Sequence, residues 1–304
     1  MSVIDRLQTT LATYGELRPD EPMSRHTTFG IGGPADLFVT VRSSDDLGAA
    51  TRAVRDAGAD VFVLGSGSNI LVADSGFRGV VLDNRARTEH PASDGLTFRL
   101  ESGTSFAAFA RKMCRAGLDG LSWAVGIPGT LGGAVVYNAG AYGGCLADVL
   151  TRVLLQDASG ARDWVPAPAL GLVYRGSALT RGQFAGKTVL ETEVQLAPGD
   201  VAALVQRAAS HDKKRLAAQP RGRNAGSMFK NPSDRPAWKL IDDVGLRGAR
   251  RGDAAISEQH CNFFVNYGNA RASEVRSLVE EAERRVFDQS GVRLEREVAF
   301  VGAW

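Results

Sequence analysis

With 304 residues, 44% hydrophobic and 23% charged, the chain has the composition of a soluble globular protein of two or three domains, not of a disordered one. Its net charge of +2 selects no class of partner. Three cysteines (Cys114, Cys145 and Cys261) at neither metal-ligand nor redox-pair spacing argue against a disulfide framework or a metal site, and charges in MSVIDRLQTTLATYG argue against a signal peptide. A cytoplasmic protein with no membrane segment is expected.

Ile4, Leu7 and Leu11 fall at helical spacing, so a short amphipathic helix opens the chain. HTTFGIGGP (26–34) reads as a turn because close glycines and Pro34 break regular structure. A strand over 37–41 follows. Ser44-Asp45-Asp46 marks a helix start, Leu47, Ala50, Val54 and Ala57 line one face, and Gly58 closes it. Val61-Phe62-Val63-Leu64 is then a buried strand ending at the loop Gly65-Ser66-Gly67-Ser68-Asn69. A Rossmann site needs its glycines at the first strand-to-helix turn, with a helix behind them. Here the strand-like Ile70-Leu71-Val72 follows and no third glycine sits at the right interval, so a Rossmann site is rejected. Two alternatives stay open: a nest of N–H groups cradling a pyrophosphate, or a plain turn.

Strands are expected over 80–82 and 97–101, and a helix from Thr104 to Ala116 ending at Gly117. Residues 120–147, GLSWAVGIPGTLGGAVVYNAGAYGGCLA, contain eight glycines and no charge. So many helix breakers, with Pro128 and Asn138, argue against a membrane span. Glycine lets main chain approach a ligand closely and offers bare N–H groups. The stretch therefore suits a flat, partly apolar ligand with an anionic part, such as a dinucleotide; Gly-rich packing alone is the equal alternative.

A hairpin is expected around Asp157-Ala158-Ser159-Gly160, then a strand over 187–196 and a helix from Asp200 to about Ala218. Arg175, between apolar residues and a small-residue turn, calls for an anionic partner. Composition shifts near Pro198-Gly199-Asp200. From Lys213 to Arg251 eleven Lys/Arg face three Asp, which suits nucleic acid, a small phosphate-bearing substrate or a solvated face. Ser227 lacks the G-x-S-x-G elbow and any histidine partner in triad context, so it is not a hydrolase nucleophile. A helix starts at Pro236 and ends at Gly245, a strand covers 261–266, and a charged helix runs from Ser273 to Gln289. A closing strand over 292–301 puts Glu295, Glu297 and Ala299 on one face and Leu294, Val298 and Phe300 on the other.

Seven stretches in order then carry a resemblance: TTFGIGGPA (27–35), VLGSGSNILV (63–72), GIPGTLGGAVVYNAGAYG (126–143), YRGS (174–177), NAGSMFKNP (224–232), EQHCNFFVN (258–266) and LEREVAFVG (294–302). Together they resemble the UDP-N-acetylenolpyruvoylglucosamine reductases (UDP-N-acetylmuramate dehydrogenases). That resemblance implies an α+β protein. An FAD-binding domain of the vanillyl-alcohol-oxidase (PCMH) type would comprise two α/β subdomains over 1–95 and 96–200. An α/β substrate-binding domain would cover 201–304, its last strand returning Glu297 to the active site.

The resemblance further implies catalytic roles for Arg175, Ser227 and Glu297. It places FAD on Gly65, Ser66, Gly67, Ser68 and Asn69, and on Gly126, Ile127, Pro128, Gly129, Thr130, Gly133, Ala134, Asn138, Gly140 and Ala141. The UDP-sugar enolpyruvate falls to Tyr174, Arg175, Arg215, Lys230 and Asn231, with Arg221 or Arg223 as further candidates. NADPH supplies hydride. A monomer is expected, with no nucleic acid and no metal. Three departures stand out. Cys145 replaces an expected acidic residue, Trp238 replaces a small one, and 178–226 is too short for the extra loop with a substrate-capping tyrosine found in one branch. The rivals are an FAD oxidase of alcohols or aldehydes and a nucleic-acid-binding protein; 7% aromatic content gives the latter few stacking platforms.

Overall fold

A computed structural model describes residues 3–304. The chain is α+β and forms two compact units from interleaved stretches. Unit 1 holds the stretch ending at Pro19, Leu37–Gly65 and Gly79–Arg215; unit 2 holds Asp20–Asp36, Ser66–Arg78 and Leu216–Trp304.

Unit 1 opens with helix α1 (Val3–Leu11), which buries Leu7 and Leu11 as the spacing predicts. Strand Gly15–Pro22, GELRPDEP, was not foreseen, because polar residues and two prolines hide any alternation. It edges a sheet ordered Gly15–Pro22, Pro34–Val41, Phe77–Asn84, Val61–Leu64. The last pair runs parallel, joined through residues 65–76, while helix α2 (Ser44–Asp56) links Pro34–Val41 to Val61–Leu64. Ser43 caps α2 by accepting from Asp46 N at 3.0 Å. Leu47, Ala50 and Val54 are fully buried, and burying a Leu or Val side chain contributes about 1.5–3 kcal/mol. Gly58 follows with φ +72°, the left-handed residue the sequence calls for.

The second sheet of unit 1 is antiparallel, ordered Arg162–Pro166, Leu150–Gln156, Thr188–Gln195, Thr97–Glu101, Glu89–Pro91. The expected hairpin supplies its first pair. Helix α3 (Phe106–Arg115) has Ser105, not Thr104, as its N-cap residue and packs Phe106 and Phe109 into the core with Trp123. Within the uncharged stretch lies helix α4 (Leu131–Tyr137), which the sequence reading lacked: Gly132 and Gly133 lower helix propensity by about 1 kcal/mol each relative to Ala. Helix α5 (Val201–Ala218) belongs to unit 1 through Arg215.

In unit 2, Arg250–Arg251, Ala254–Ile256 and Phe264–Asn266 form an antiparallel sheet. Helix α6 (Ala237–Asp243) buries Ala237, Leu240 and Ile241. Helix α7 (Ala272–Ser290) buries Val275, Leu278, Val279, Ala282 and Val286 in the same core. Asp74 caps α7, accepting from Ala272 N at 2.7 Å and Ser273 N at 3.0 Å. The expected closing strand over 292–301 is shorter: only Ala299–Val301 forms a regular strand, parallel to Ile70–Val72. The alternation it was read from holds in part: Leu294 and Val298 are buried and Glu295 is exposed, whereas Glu297, Ala299 and Phe300 are all half-buried. Among the described residues no helix is long and apolar enough to cross a membrane.

Candidate functional site

In unit 1 the site is built on α4. Asn138 ends that helix in the left-handed conformation, φ 44°, ψ 62°. Its buried side chain donates to Val173 O (3.1 Å) and accepts from Ala147 N (3.1 Å). Both polar ends are thus engaged by the chain itself, so a share in holding a cofactor falls to the backbone of Asn138. Ser177 Oγ donates to Val136 O at 2.7 Å. Asn138 and Ser177 together pin the turn over residues 173–176 against α4.

In that turn Gly176 N donates to Val173 O at 3.2 Å, and Arg175, with φ 51°, occupies the third position. A type II turn normally needs glycine or asparagine there. A non-glycine residue held left-handed costs roughly 1–2 kcal/mol. The conformation aims the guanidinium so that Nη2 donates to Gly140 O at 2.9 Å, with the group 5.2 Å from the Tyr174 ring centroid. Tyr174 is 55% exposed and Arg175 half-buried. Tyr174, Arg175, Asn138 and Gly140, predicted from separate motifs, therefore meet.

The glycines of this stretch are required by close approach. A Cβ on Gly140 would lie 2.7 Å from Gly144 O, and one on Gly144 2.4 Å from the Trp123 ring. Residues 126–129 and Gly133 remain at least partly exposed although uncharged, while Thr130 and Ala134 are buried. A Cβ on Gly65 would meet Thr130 Oγ1 at 2.5 Å, and one on Gly133 nothing closer than 3.9 Å. Bare main chain that stays open, with no charge beside it, suits a flat apolar ligand such as an isoalloxazine.

Arg215, on α5, lies against Gly126: a Cβ there would come within 2.9 Å of Arg215 Cδ. Burial pushes the guanidinium pKa down, and Tyr142 and Asp212 oppose that. Sequence reasoning missed the neighbours. Tyr142 (φ 52°) and Gly143 (φ 87°) turn the two-residue hairpin joining Gly140–Ala141 to Gly144–Cys145. The Tyr142 ring stacks on His211 at 4.6 Å and 1°. The only available signal was a bulky aromatic among glycines; its partner lies on a helix far along the chain.

Cys145 occupies the position where an acidic residue was expected; its N–H and thiol both meet the Asp148 carboxylate, at 2.8 and 3.5 Å. Burial pushes that thiol's pKa up, and Asp148 adds to the effect.

In unit 2 the site is built on residues 224–230. Asn224 Oδ1 accepts from Gly226 N (3.0 Å), a local turn that starts the segment at Gly226, φ 81°. Ser227 pairs antiparallel with Phe263, and Phe229 with Arg296. Met228 N donates to Asn262 O (2.7 Å), and Glu297 N donates to Met228 O (2.8 Å). The buried Asn262 side chain clamps Phe229 N and O at 2.9 and 2.8 Å. Residues 227–230 are thus held between 262–263 and 295–297, which fixes Ser227 and Glu297 relative to each other.

The glycine loop joins them. Asn69 Nδ2 donates to Glu297 O at 3.0 Å, and Ala299 N donates to Asn69 O at 3.0 Å. Thr28 Oγ1 donates to Asn224 O (2.7 Å) and Thr28 N to Gly67 O (3.0 Å), tying the FGIGG turn to both loop and serine segment. Gly67 is left-handed, φ 63°, and a Cβ there would sit 2.1 Å from His26 O. Ser66 is exposed and its Oγ meets Ser68 Oγ at 3.3 Å. A tight left-handed turn of small residues, with Ser66 exposed beside it, fits a pyrophosphate.

Ser227 Oγ has no hydrogen-bond partner among the described residues, so it is available to a ligand. Lys230 Nζ pairs with Glu295. Asn231 Oδ1 accepts from Ala237 N at 3.0 Å and so supports α6. Four more residues of the basic run are paired with carboxylates: Arg235 and Lys239 share Asp243, Arg247 holds Asp242 and Arg251 holds Glu281. No cluster of His, Cys, Asp and Glu among the described residues is arranged to bind a metal.

Residues 218–301 match the model of the UDP-N-acetylenolpyruvoylglucosamine reductase C-terminal domain, and residues 35–163 that of an FAD binding domain. UDP-N-acetylenolpyruvoylglucosamine reductase 2 of Symbiobacterium thermophilum is 40% identical over 98% of this chain and 96% of its own length. The reductase of Anaeromyxobacter dehalogenans (strain 2CP-C) is 42% identical over 95% of this chain and 86% of its own. The crystal structure of UDP-N-acetylenolpyruvylglucosamine reductase (MurB) from Thermus caldophilus superposes with a TM-score of 0.80 at 35% identity, covering 95% of this chain and all of that one.

Proposed function

The chain belongs to the UDP-N-acetylenolpyruvoylglucosamine reductase family, and from that premise we propose that it reduces the enolpyruvyl ether of a UDP-N-acetylglucosamine to UDP-N-acetylmuramate, with NADPH as reductant, in the cytoplasm. It would work as a monomer, on a UDP-sugar and NADPH, with no nucleic acid. The observation that carries this is the join between Asn69, Glu297 and the Ser227 segment, which ties a pyrophosphate-type loop to two of the catalytic candidates.

FAD would be held by the glycine loop 65–69 and by the open main chain of residues 126–141. When bound, it would supply the hydride chemistry that links NADPH to the terminal vinyl carbon of the substrate. The chain's own residues handle charge and proton. Arg175 meets the substrate carboxylate and stabilises the negative charge that develops on the adjacent carbon; its pre-set turn means little reorganisation at that moment. Glu297 acts protonated or through a hydrogen-bond network, since a bare carboxylate would repel that charge. Ser227 Oγ, not engaged by any of the described residues, delivers a proton to the α-carbon. Arg215 and Lys230 meet the diphosphate; for Lys230 this means exchanging Glu295 for phosphate.

The test is anaerobic. NADPH should bleach the bound flavin, and the enolpyruvyl UDP-sugar should restore its colour with one saturated product per flavin. Flavin that is reduced but not reoxidised by that substrate would refute the assignment.

A further inference from the structure

Trp238 stands outside the buried core of its own helix. Ala237, Leu240 and Ile241 of α6 face inward, whereas Trp238 is 37% exposed. Its ring lies 6.3 Å from that of His260, which in turn stands edge-on to Phe263 at 4.9 Å. Trp238 and Phe263 are absent from the apolar cluster formed by the rest of unit 2. They form a second, aromatic cluster with a solvent face.

That cluster is tied to the reacting end of the site. Phe263 is the residue paired with Ser227, and paired residues in an antiparallel ladder put their side chains side by side on one face. The other end closes through Asn231, whose side chain accepts from the N–H of Ala237, next to Trp238. The rings therefore sit between the Ser227 position and the Lys230–Asn231 corner. His260 adds a directional group. Its Nδ1 accepts from Asn262 N at 3.3 Å, which leaves the proton on Nε2. Burial pushes its pKa down, so the ring is neutral near pH 7. No protein acceptor meets Nε2–H among the described residues.

We propose that Trp238, backed by His260 and Phe263, is the stacking platform for the uracil ring of the nucleoside diphosphate substrate, with His260 Nε2–H donating to a ring carbonyl. This rests on the function proposed above and adds a specificity-determining residue to it. An exposed indole beside a polar donor matches a nucleobase, which has an aromatic face and a polar edge. Diphosphate-binding cations alone would not distinguish one nucleotide from another.

The experiment compares equilibrium binding of UDP and of inorganic pyrophosphate to the FAD-loaded protein and to its Trp238→Leu and Trp238→Phe variants. Leucine keeps apolar bulk against His260, so the fold is retained, and removes the ring; phenylalanine restores a ring. Trp238→Leu should weaken UDP binding roughly 5- to 160-fold, the range for one lost base–aromatic stack. Pyrophosphate binding should stay as in the parent, and Trp238→Phe should recover most of the UDP affinity. Unchanged UDP affinity in Trp238→Leu overturns the proposal. An equal loss for pyrophosphate also overturns it, as does a parent protein that binds UDP no better than pyrophosphate. Any of these alongside normal flavin reoxidation by the enolpyruvyl UDP-sugar would leave the proposed function standing.

Discussion

Arg175 allows the backbone and the side chain of one residue to be tested separately. Arg175→Ala and Arg175→Gly both remove the hydrogen bond to Gly140 O and the contact with the Tyr174 ring. They differ in the backbone. Alanine keeps the cost of a side chain at φ 51°, roughly 1–2 kcal/mol, whereas glycine is at ease there. Glycine also loses about 0.5–1 kcal/mol more chain entropy on folding than alanine. The glycine variant should therefore be the more stable of the two by about 0.5–1 kcal/mol. At about 2–4 °C per kcal/mol for domains of this size, that is a gap of roughly 1–4 °C in Tm, read by calorimetry with flavin in excess. Both variants should lose the guanidinium's stabilisation of developing charge alike. Reoxidation of the flavin by substrate should slow by about 10²–10³ in each, the usual effect of deleting one such donor. An alanine variant as stable as the glycine one would refute the strain argument. A glycine variant that turns over normally would refute the catalytic role.

Ser227→Ala should leave NADPH-driven flavin reduction intact and slow reoxidation by about 10²–10⁴, the range for a lost general acid; stopped-flow traces in which both half-reactions slow equally would contradict it. Gly67→Ala places a Cβ 2.1 Å from His26 O at φ 63°, so the purified variant should carry less flavin per chain by visible absorbance, and full occupancy would count against the loop as the pyrophosphate seat. Glu101 gives a pH dependence. Its burial raises the carboxyl pKa, but hydrogen bonds from Thr88 and Ser44 outweigh that and hold it below the usual 4.5. A depressed folded pKa gives stability that is full above pH 4.5 and lost as pH falls through the lower folded value. Glu101→Gln should therefore cost about 1–3 kcal/mol near neutral pH, with the gap to the parent narrowing in acid. Urea midpoints that stay equally far apart at about pH 7 and about pH 3 would refute it.

What was legible in the sequence follows from where periodicity carries information. Leu47, Ala50 and Val54 announced α2, and Gly58 its end, because an amphipathic stripe and a left-handed stop are local properties. Helix α4 was illegible for the opposite reason: its residues follow from Asn138 and Ser177 binding distant carbonyls, not from propensity. Residues 292–298 alternate like a strand, yet hold their place through single bonds to Met228 and Lys230. Ser227 and Glu297 had no individual signature. Their motifs in order pointed to a family, and the backbone bonds among 69, 228, 262 and 297 show how that order becomes proximity. The Tyr142–His211 stack and the rings around Trp238 lay beyond any sequence pattern, since each joins side chains from separate turns and helices.

The bond from Asn69 to Glu297 spans 228 positions. On a ribosome, a loop synthesised early must wait for a strand made 228 positions later before its seat exists. At about 5–20 residues per second that delay is on the order of ten to fifty seconds. During it, Ile70-Leu71-Val72 has no neighbour to pair with and its apolar edge is open to chaperones or to wrong partners. Nascent polypeptides arrested before Ala299 would lack the strand that pairs with Ile70–Val72, so flavin uptake would report that synthesis has passed that strand.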